Sequence, residues 1–504
     1  MLTYSFEDIG NDTLYEHLYK AVKNDILNGT LTPMQKLPSK RSFAKNLSIS
    51  TITVENAYSQ LLAEGYIFSV PKKGYYVSDF SNPLLSDIDM KSDFHYTDAK
   101  QNVSDTDTGQ NISDTDTISV SVNVNGKPDY SDADIANSHN TLGAINLTTN
   151  HINADNFPFS IWSKLIREVI STEKSTLMKP LPSAGSYELR SSIAKHLLDY
   201  RGLKVRPEQI IIGAGTEYLY SIIIQLMGRK LIYGLEDPGY KKISKIYNSH
   251  KVACTFIPLT ASGINMDILR ESNADIMHIS PSHHFPTGIV TSVGTRYKLL
   301  EWANENKTRY IIEDDYDSEF RLVGKPIPAL LGIDTSEKVI YMNSFSKSLS
   351  STIRISYMVL PAHLMEKYNE TLSFYSCTVS AFEQATLAKF ISEGYFEKHI
   401  NRMRNYYRKL RDTLLNAIRK SPLNSNCTIL EENSGLHFLL KINTDKSDAQ
   451  LKSNAKSKGL IISCMSDYYM QHPINDNEHI IIINYSGIDT NDINSIIEKL
   501  CQII

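Results

Sequence analysis

At 504 residues the chain is too long for one ordinary domain, and about two to four are expected. Five cysteines, at positions 254, 377, 427, 464 and 501, are odd in number and widely spaced. That excludes a disulfide frame or a zinc site and suits a reducing compartment. No basic segment followed by an apolar run opens the chain, and no apolar run reaches about 18 residues. A cytoplasmic protein with no membrane span follows. The net charge of −4 is small but unevenly spread. Residues 36–78 carry six Lys/Arg against two Glu, and residues 79–140 carry twelve Asp against three Lys.

Three helical patterns fill most of residues 1–78. Residues 11–28 set Leu14, Leu18, Ala21, Val22 and Ile26 on one face. A short helix then opens after Ser39, a residue suited to an N-cap. A tight turn at Ser48-Ile49-Ser50 leads to a third helix, with Val54, Ala57, Tyr58, Leu61 and Leu62 at amphipathic spacing. Gly65 ends it. Two aromatic strands then flank Pro71-Lys72-Lys73-Gly74. Helix, helix, turn, helix and wing is the winged helix-turn-helix plan, in which the third helix enters the major groove of double-stranded DNA. Lys40 and Arg41 at the second helix, Ser50, Thr51 and Thr53 at the third, and Lys72 and Lys73 on the wing lie where DNA would meet them.

On Leu37-Pro-Ser-Lys-Arg41, Ser50-Thr-Ile-Thr-Val54, Ala57-Tyr58, Leu61-Leu-Ala-Glu-Gly-Tyr66 and Gly74, this segment resembles the GntR family of bacterial regulators. The family usually has arginine after the serine matching Ser50, and a basic residue before the Ala-Tyr pair. Here Thr51 and Asn56 stand in those places, which leaves the operator sequence open.

Residues 79–140 are rich in Asp, Ser, Thr and Asn. They repeat Asn102-Val-Ser-Asp-Thr-Asp-Thr108 as Asn111-Ile-Ser-Asp-Thr-Asp-Thr117. Such composition cannot bury enough apolar surface to order itself. It reads as an acidic, disordered linker reaching roughly 40–45 Å. The central Gly and closing Glu of a calcium loop are missing.

From 141 onward short apolar runs alternate with helical stretches, which implies a mostly parallel sheet with helices on both faces. Such sheets bind ligands beyond the carboxyl ends of their strands. The residues found there suggest a chemistry. Gly215 and Thr216 open a helix where backbone N–H groups favour phosphate. Tyr240 follows the next strand and offers an aromatic face. Asp314 and Tyr316 lie in an acidic run, Glu313 to Phe320, that wants a cation; a protonated pyridine nitrogen is one, and Mg²⁺ is the competing choice. Lys347 follows the strand Lys338-Val-Ile-Tyr-Met342, where burial would lower its pKa and free the amine to attack an aldehyde. Ser344, Ser346 and Arg354 add donors for a phosphate. An amine for an aldehyde beside groups for a phosphate suits pyridoxal 5′-phosphate (PLP), bound through a Schiff base at Lys347. The Lys347 stretch alone also fits a solvated lysine after a strand.

The motifs Phe157-Pro-Phe-Ser-Ile-Trp162, Gly185-Ser-Tyr-Glu-Leu-Arg190, Glu236-Asp-Pro-Gly-Tyr240, Pro281-Ser-His-His-Phe-Pro-Thr-Gly288, Glu313 to Arg321, Ser344-Phe-Ser-Lys347 and His399 to Arg404 are similar to those of fold-type I aminotransferases, and within them to the MocR subgroup of GntR regulators. The resemblance implies a winged helix-turn-helix domain (1–78), the linker (79–140), a large α/β PLP-dependent transferase-like domain (141–370) and a small α+β subdomain (371–504). It implies that Lys347 carries PLP, Asp314 pairs with the pyridine nitrogen, Tyr316 with the ring hydroxyl, and Tyr240 stacks. Gly215, Thr216, Ser344 and Arg354 would hold the phosphate. It also implies a head-to-tail homodimer on direct-repeat operator DNA, each arm lying against the other chain. One departure stands out. No Lys or Arg occurs between Lys458 and Lys499, so the arginine that clamps a substrate carboxylate is missing, with His479 as a weak replacement. That favours a PLP-responsive regulator, with PLP itself as the signal as in PdxR-like members that control vitamin B6 synthesis. The alternatives are an aminotransferase with a vestigial DNA-binding arm, and a regulator whose PLP pocket is purely structural.

Overall fold

The stripe read along the third helix is the centre of a small N-terminal domain. Helices Leu14–Leu27, Lys40–Leu47 and Thr51–Ala63 bury Leu18, Val22, Phe43, Val54, Ala57, Tyr58 and Leu61 in one cluster. Two serines start the second and third helices: Ser39 Oγ accepts the N–H of Ser42 at 3.2 Å and Ser50 Oγ that of Thr53 at 3.0 Å. Each satisfies a donor that the helix itself cannot. Ser48, at φ +56°, makes the turn between them. Strands Ile67–Val70 and Gly74–Val77 pair antiparallel, with Val70 opposite Gly74, and form the wing. The computed structural model describes residues 4, 6, 12–70, 73–79, 144–150, 152–322, 327–471 and 478–504. Lys72 and almost all of the expected linker lie outside the described residues.

The second layer of organisation is an eight-stranded sheet. Its order in space is Ile210–Gly213, Ser356–Val359, Val339–Ser344, Tyr310–Asp314, Ile276–Ile279, Ile232–Asp237, Ala253–Thr260 and Gly263–Ile264. Ser356–Val359 runs antiparallel to both its neighbours, and the next five strands are parallel. Side chains alternate between two cores. Ile210, Ile212 and Tyr341 enter one, and Ile211, Ile340 and Met342 the other. Both faces are therefore covered, which explains why these strands read as unbroken apolar runs. The antiparallel Ser356–Val359 was not read from the sequence as a strand.

The 26-residue helix Tyr395–Lys420 leads to a four-stranded antiparallel sheet, ordered Cys427–Leu430, His437–Ile442, His479–Asn484, Ser463–Cys464. Ile145–Asn146 pairs in parallel with Leu460–Ile461, so the chain from 145 first touches the smaller domain. Among the described residues no helix is long and apolar enough to cross a membrane.

The N-terminal domain packs against the body of its own chain. The N–H of Val293 donates to the carbonyl of Glu64 at 3.0 Å, and the Val293 side chain is buried in the N-terminal core. That core is small, so each side chain in it carries much of the stability. Leu61→Ala removes a fully buried leucine and is expected to cost about 2–5 kcal/mol. Hydrogen exchange should show residues 14–77 opening far more often while the eight-stranded sheet stays protected.

Candidate functional site

Four strand ends converge on one region. Tyr310–Asp314 delivers Asp314, whose Oδ2 accepts the Tyr220 hydroxyl at 2.8 Å. His278 stands behind it, Nε2 3.7 Å from the same oxygen, and its Nδ1 lies 2.8 Å from the Tyr247 hydroxyl. Asp314 Oδ1 and the Tyr316 hydroxyl are both buried and have no hydrogen-bond partner. Leaving such atoms unpaired in a protein interior costs free energy, so they point to a missing partner group.

Val339–Ser344 runs straight into the short helix Phe345–Ser348, which carries Lys347. The Ser344 hydroxyl starts that helix by accepting the N–H of Ser346 at 3.1 Å, and it lies 2.8 Å from Ser346 Oγ. Burial pushes the Lys347 amine below its ordinary pKa, with Asp317 opposing. Its Nζ donates to the carbonyl of Asn150 at 3.4 Å. Asn150 is tied in turn to Asn484 (2.8 Å) and to Ser486 (3.0 Å).

Ile210–Gly213 leads through Gly215 into the helix Thr216–Met227. Gly215 has φ +89°, and an added Cβ would lie 2.8 Å from Arg354 Cζ. Only glycine leaves room there. Arg354, itself at φ +51°, bonds Glu217 at 2.7 Å beside that helix start and is half exposed. Tyr240 follows Ile232–Asp237 with its ring half exposed and edge-on to Phe285 at 6.2 Å.

The acidic run does not act as a unit. Glu313 takes the N–H groups of Leu330 and Leu331 (2.7 and 2.9 Å), Asp315 takes Arg201 and Tyr341 (2.7 and 2.6 Å), and Asp317 faces His283 at 3.2 Å. Period-2 alternation sends neighbouring carboxylates apart. Among the described residues no group of three or more His, Cys, Asp or Glu is placed to hold a metal ion.

His479 is not a substitute clamp. It starts the strand His479–Asn484, opposite Ile442, with its Nδ1 2.7 Å from Asp448. The end of that strand nearest Lys347 holds Asn484 and, two residues on, Ser486.

On the N-terminal domain, Arg41, Ser50, Thr51 and Lys73 are exposed and Thr53 is partly so. Lys40 is tied to Glu55 at 2.7 Å and lies over the Tyr75 ring at 5.6 Å. Ile52, 68% exposed at the start of the third helix, was not singled out in the sequence; a large apolar residue facing solvent there is the signal that was available.

Two family models match. Residues 14–77 match the bacterial regulatory proteins of the gntR family, and residues 143–500 match aminotransferase class I and II. The HTH-type transcriptional regulator YdeL of Bacillus subtilis, itself uncharacterized, is 37% identical over 97% of this chain and 96% of its own length. The probable rhizopine catabolism regulatory protein MocR of Rhizobium meliloti is 28% identical over 94% and 90%. The pyridoxine biosynthesis regulator PdxR of Corynebacterium glutamicum is 26% identical over 90% and 88%. The chain belongs to the GntR-family HTH-type regulators that carry an aminotransferase class I and II domain. The crystal structure of the kynurenine aminotransferase of Pyrococcus horikoshii aligns with a TM-score of 0.64, at 22% identity over 74% of this chain and 93% of that one. That likeness shows the fold of this regulator's larger part.

Buried acids surround the pocket of this GntR-family chain. Burial raises Glu236 and Glu319 to about 8 and Glu313 to about 7, Asp314 adding to the first and Asp315 to the other two. Burial also lowers His196, His399 and His437 to about 4. The unfolded chain has released its histidine protons by about pH 7.5 and the folded histidines hold none there, so above that pH the acids decide the slope. The fold keeps protons on Glu236 and Glu319 that the unfolded chain has released, so stability falls as pH rises from about 7.5 to 8. Each retained proton contributes about 1.4 kcal/mol per pH unit. Thermal melts without added PLP should show this fall, and Glu236→Gln should make it shallower. A flat wild-type profile would contradict the assignment.

Proposed function

We propose that this chain is a PLP-responsive, DNA-binding transcription regulator. The observation that carries the reading is the pair of buried, partnerless atoms, Asp314 Oδ1 and Tyr316 Oη, beside the desolvated Lys347. A pyridine N–H and a ring oxygen are the partners that PLP brings to such positions. The residues present fit the group. Thr216, Ser344, Ser346 and Arg354, with the helix start after Gly215, suit its phosphate. The exposed face of Tyr240 suits its ring. When bound, PLP supplies an aldehyde that an amine can take with loss of water. Lys347 is the amine for it, kept reactive by burial. Tyr220 holds Asp314 Oδ2, which leaves Oδ1 for the ring nitrogen.

The arm reads DNA through the start of its third helix, with Ser50, Thr51, Thr53 and the apolar Ile52 at the groove, and Arg41, Lys40, Lys72 and Lys73 on phosphates. PLP changes operator affinity only by binding two arrangements of the protein unequally. A head-to-tail homodimer, with each arm seated on the body of its own chain, would place two such helices on a direct repeat. The absence of a Lys or Arg from 459 to 498 favours PLP as the signal over a clamped amino acid, and favours weak transamination at most.

Gel-shift titration on DNA from upstream of neighbouring genes tests this. PLP is expected to change wild-type operator affinity by about 5–150-fold, and Lys347→Ala should abolish the change while retaining DNA binding. A Lys347→Ala protein with the full response would overturn the proposal. Steady turnover of amino acids with no operator binding would favour the aminotransferase reading instead.

A further inference from the structure

The contact between the N-terminal arm and the body is built around one buried acid. Glu64 caps the third helix and is 3% exposed. Its carboxylate accepts the Tyr19 hydroxyl at 2.6 Å, the Lys23 ammonium at 3.3 Å and the Gln60 amide. Its carbonyl accepts the N–H of Val293 at 3.0 Å. The next residue, Gly65, has φ +78°, and an added Cβ would stand 3.0 Å from Ser292 Cβ. Arm and body backbones are thus in direct contact.

The body residues at this contact lead back to the pocket by two short routes. Ser292 and Val293 open the helix Val293–Asn304. The first turn of that helix holds Arg296, which is buried and donates to the carbonyls of Thr291 (2.9 Å), Pro281 (2.8 Å) and Pro328. Pro281 begins the loop that carries Phe285, the neighbour of Tyr240. The second route is covalent: Arg321 lies five residues beyond Tyr316 and seven beyond Asp314. Arg321 is 8% exposed, and burial lowers its pKa to about 10 against the opposing charge of Glu64. Its carbonyl, and that of Leu322, accept Arg404 at 2.8 Å and Arg408 at 2.9 Å from the helix Tyr395–Lys420. The segment between pocket and arm is therefore held at its far end.

We infer that Glu64 is the positioning residue that reports the state of the PLP pocket to the DNA-binding arm, through Arg321 and the Ser292–Arg296 turn. This deepens the regulatory reading above and rests on it. Asp314 and Tyr316 sit at one end of the 314–321 segment with an unpaired atom each; pairing them orders the segment, and Arg321 carries that order to Glu64. Ordering that reaches a second site couples the two without a large movement.

Hydrogen exchange of the full-length protein, with and without PLP, tests the inference, with the absorbance of bound PLP read on the same samples. PLP is expected to slow exchange of wild-type residues 55–70 and 290–297 by about five-fold or more. Glu64→Gln should take up PLP with unchanged absorbance and lose that slowing. Arg321→Gln, which leaves the arm's own sequence intact, should lose it too, and Glu64→Asp should restore part of it. Wild-type protein that takes up PLP without slowing at these peptides overturns the inference and leaves the binding reading standing. So does Glu64→Gln or Arg321→Gln protein with wild-type slowing. Wild-type protein that takes up no PLP overturns both.

Discussion

The structure depends on keeping one amine and one carboxylate oxygen out of water at adjacent strand ends. Asp314 ends one strand, and Lys347 lies in the short helix that follows the parallel neighbour, whose Met342 is paired opposite Asp314. An exposed lysine at this point would be a solvated cation and a poor nucleophile. Burial removes that option. The same burial makes an unpaired Asp314 Oδ1 and Tyr316 hydroxyl costly. The cost is tolerated because a ligand can relieve it, which is how a binding site stores a preference for its occupant.

The surroundings are arranged to keep that preference local. Five acids crowd residues 313–319, yet each is sent to its own partner. Asp315 is neutralised by Arg201, both side chains nearly inaccessible. Such a pair is costly to break because it would leave one charge alone in the interior. Glu313 is used up on the backbone of Leu330 and Leu331. Asp314 keeps Oδ1 free beside the Tyr316 hydroxyl, while Asp315 Oδ1 and Glu319 Oε2 are likewise without a partner. The segment that follows leaves the pocket and is held under the helix Tyr395–Lys420 by Arg404 and Arg408. One stretch of chain thus serves recognition of a small molecule at one end and packing of a nucleic-acid-binding domain at the other.

Much of this was legible in the sequence. Period marked the three N-terminal helices and Ser39 the start of the second, while Ser50, legible only as part of a turn, caps the third. Continuous apolar runs marked the parallel strands, because both faces are buried. Lys347, Asp314 and Tyr316 could be placed because strand ends are where such sheets present chemistry. What could not be read depends on contacts between distant segments. Asn150 meets Lys347 across 197 residues, and Tyr220 meets Asp314 across 94. Neither pair leaves a mark in local spacing. His479 was misplaced for a related reason: without the register of the C-terminal sheet, nothing tells which end of its strand faces the site. Glu64 looks like an ordinary helix-end acid in the sequence, where nothing shows that its carbonyl takes the N–H of Val293.

The central claim is that Lys347 is the amine that holds PLP. Soaking the purified protein in PLP, treating it with borohydride and mapping the reduced adduct by peptide mass spectrometry tests it most directly. The account predicts a yellow protein whose colour borohydride bleaches, with the phosphopyridoxyl mass on the peptide containing Lys347. A colourless protein, or an adduct confined to other lysines, would contradict it.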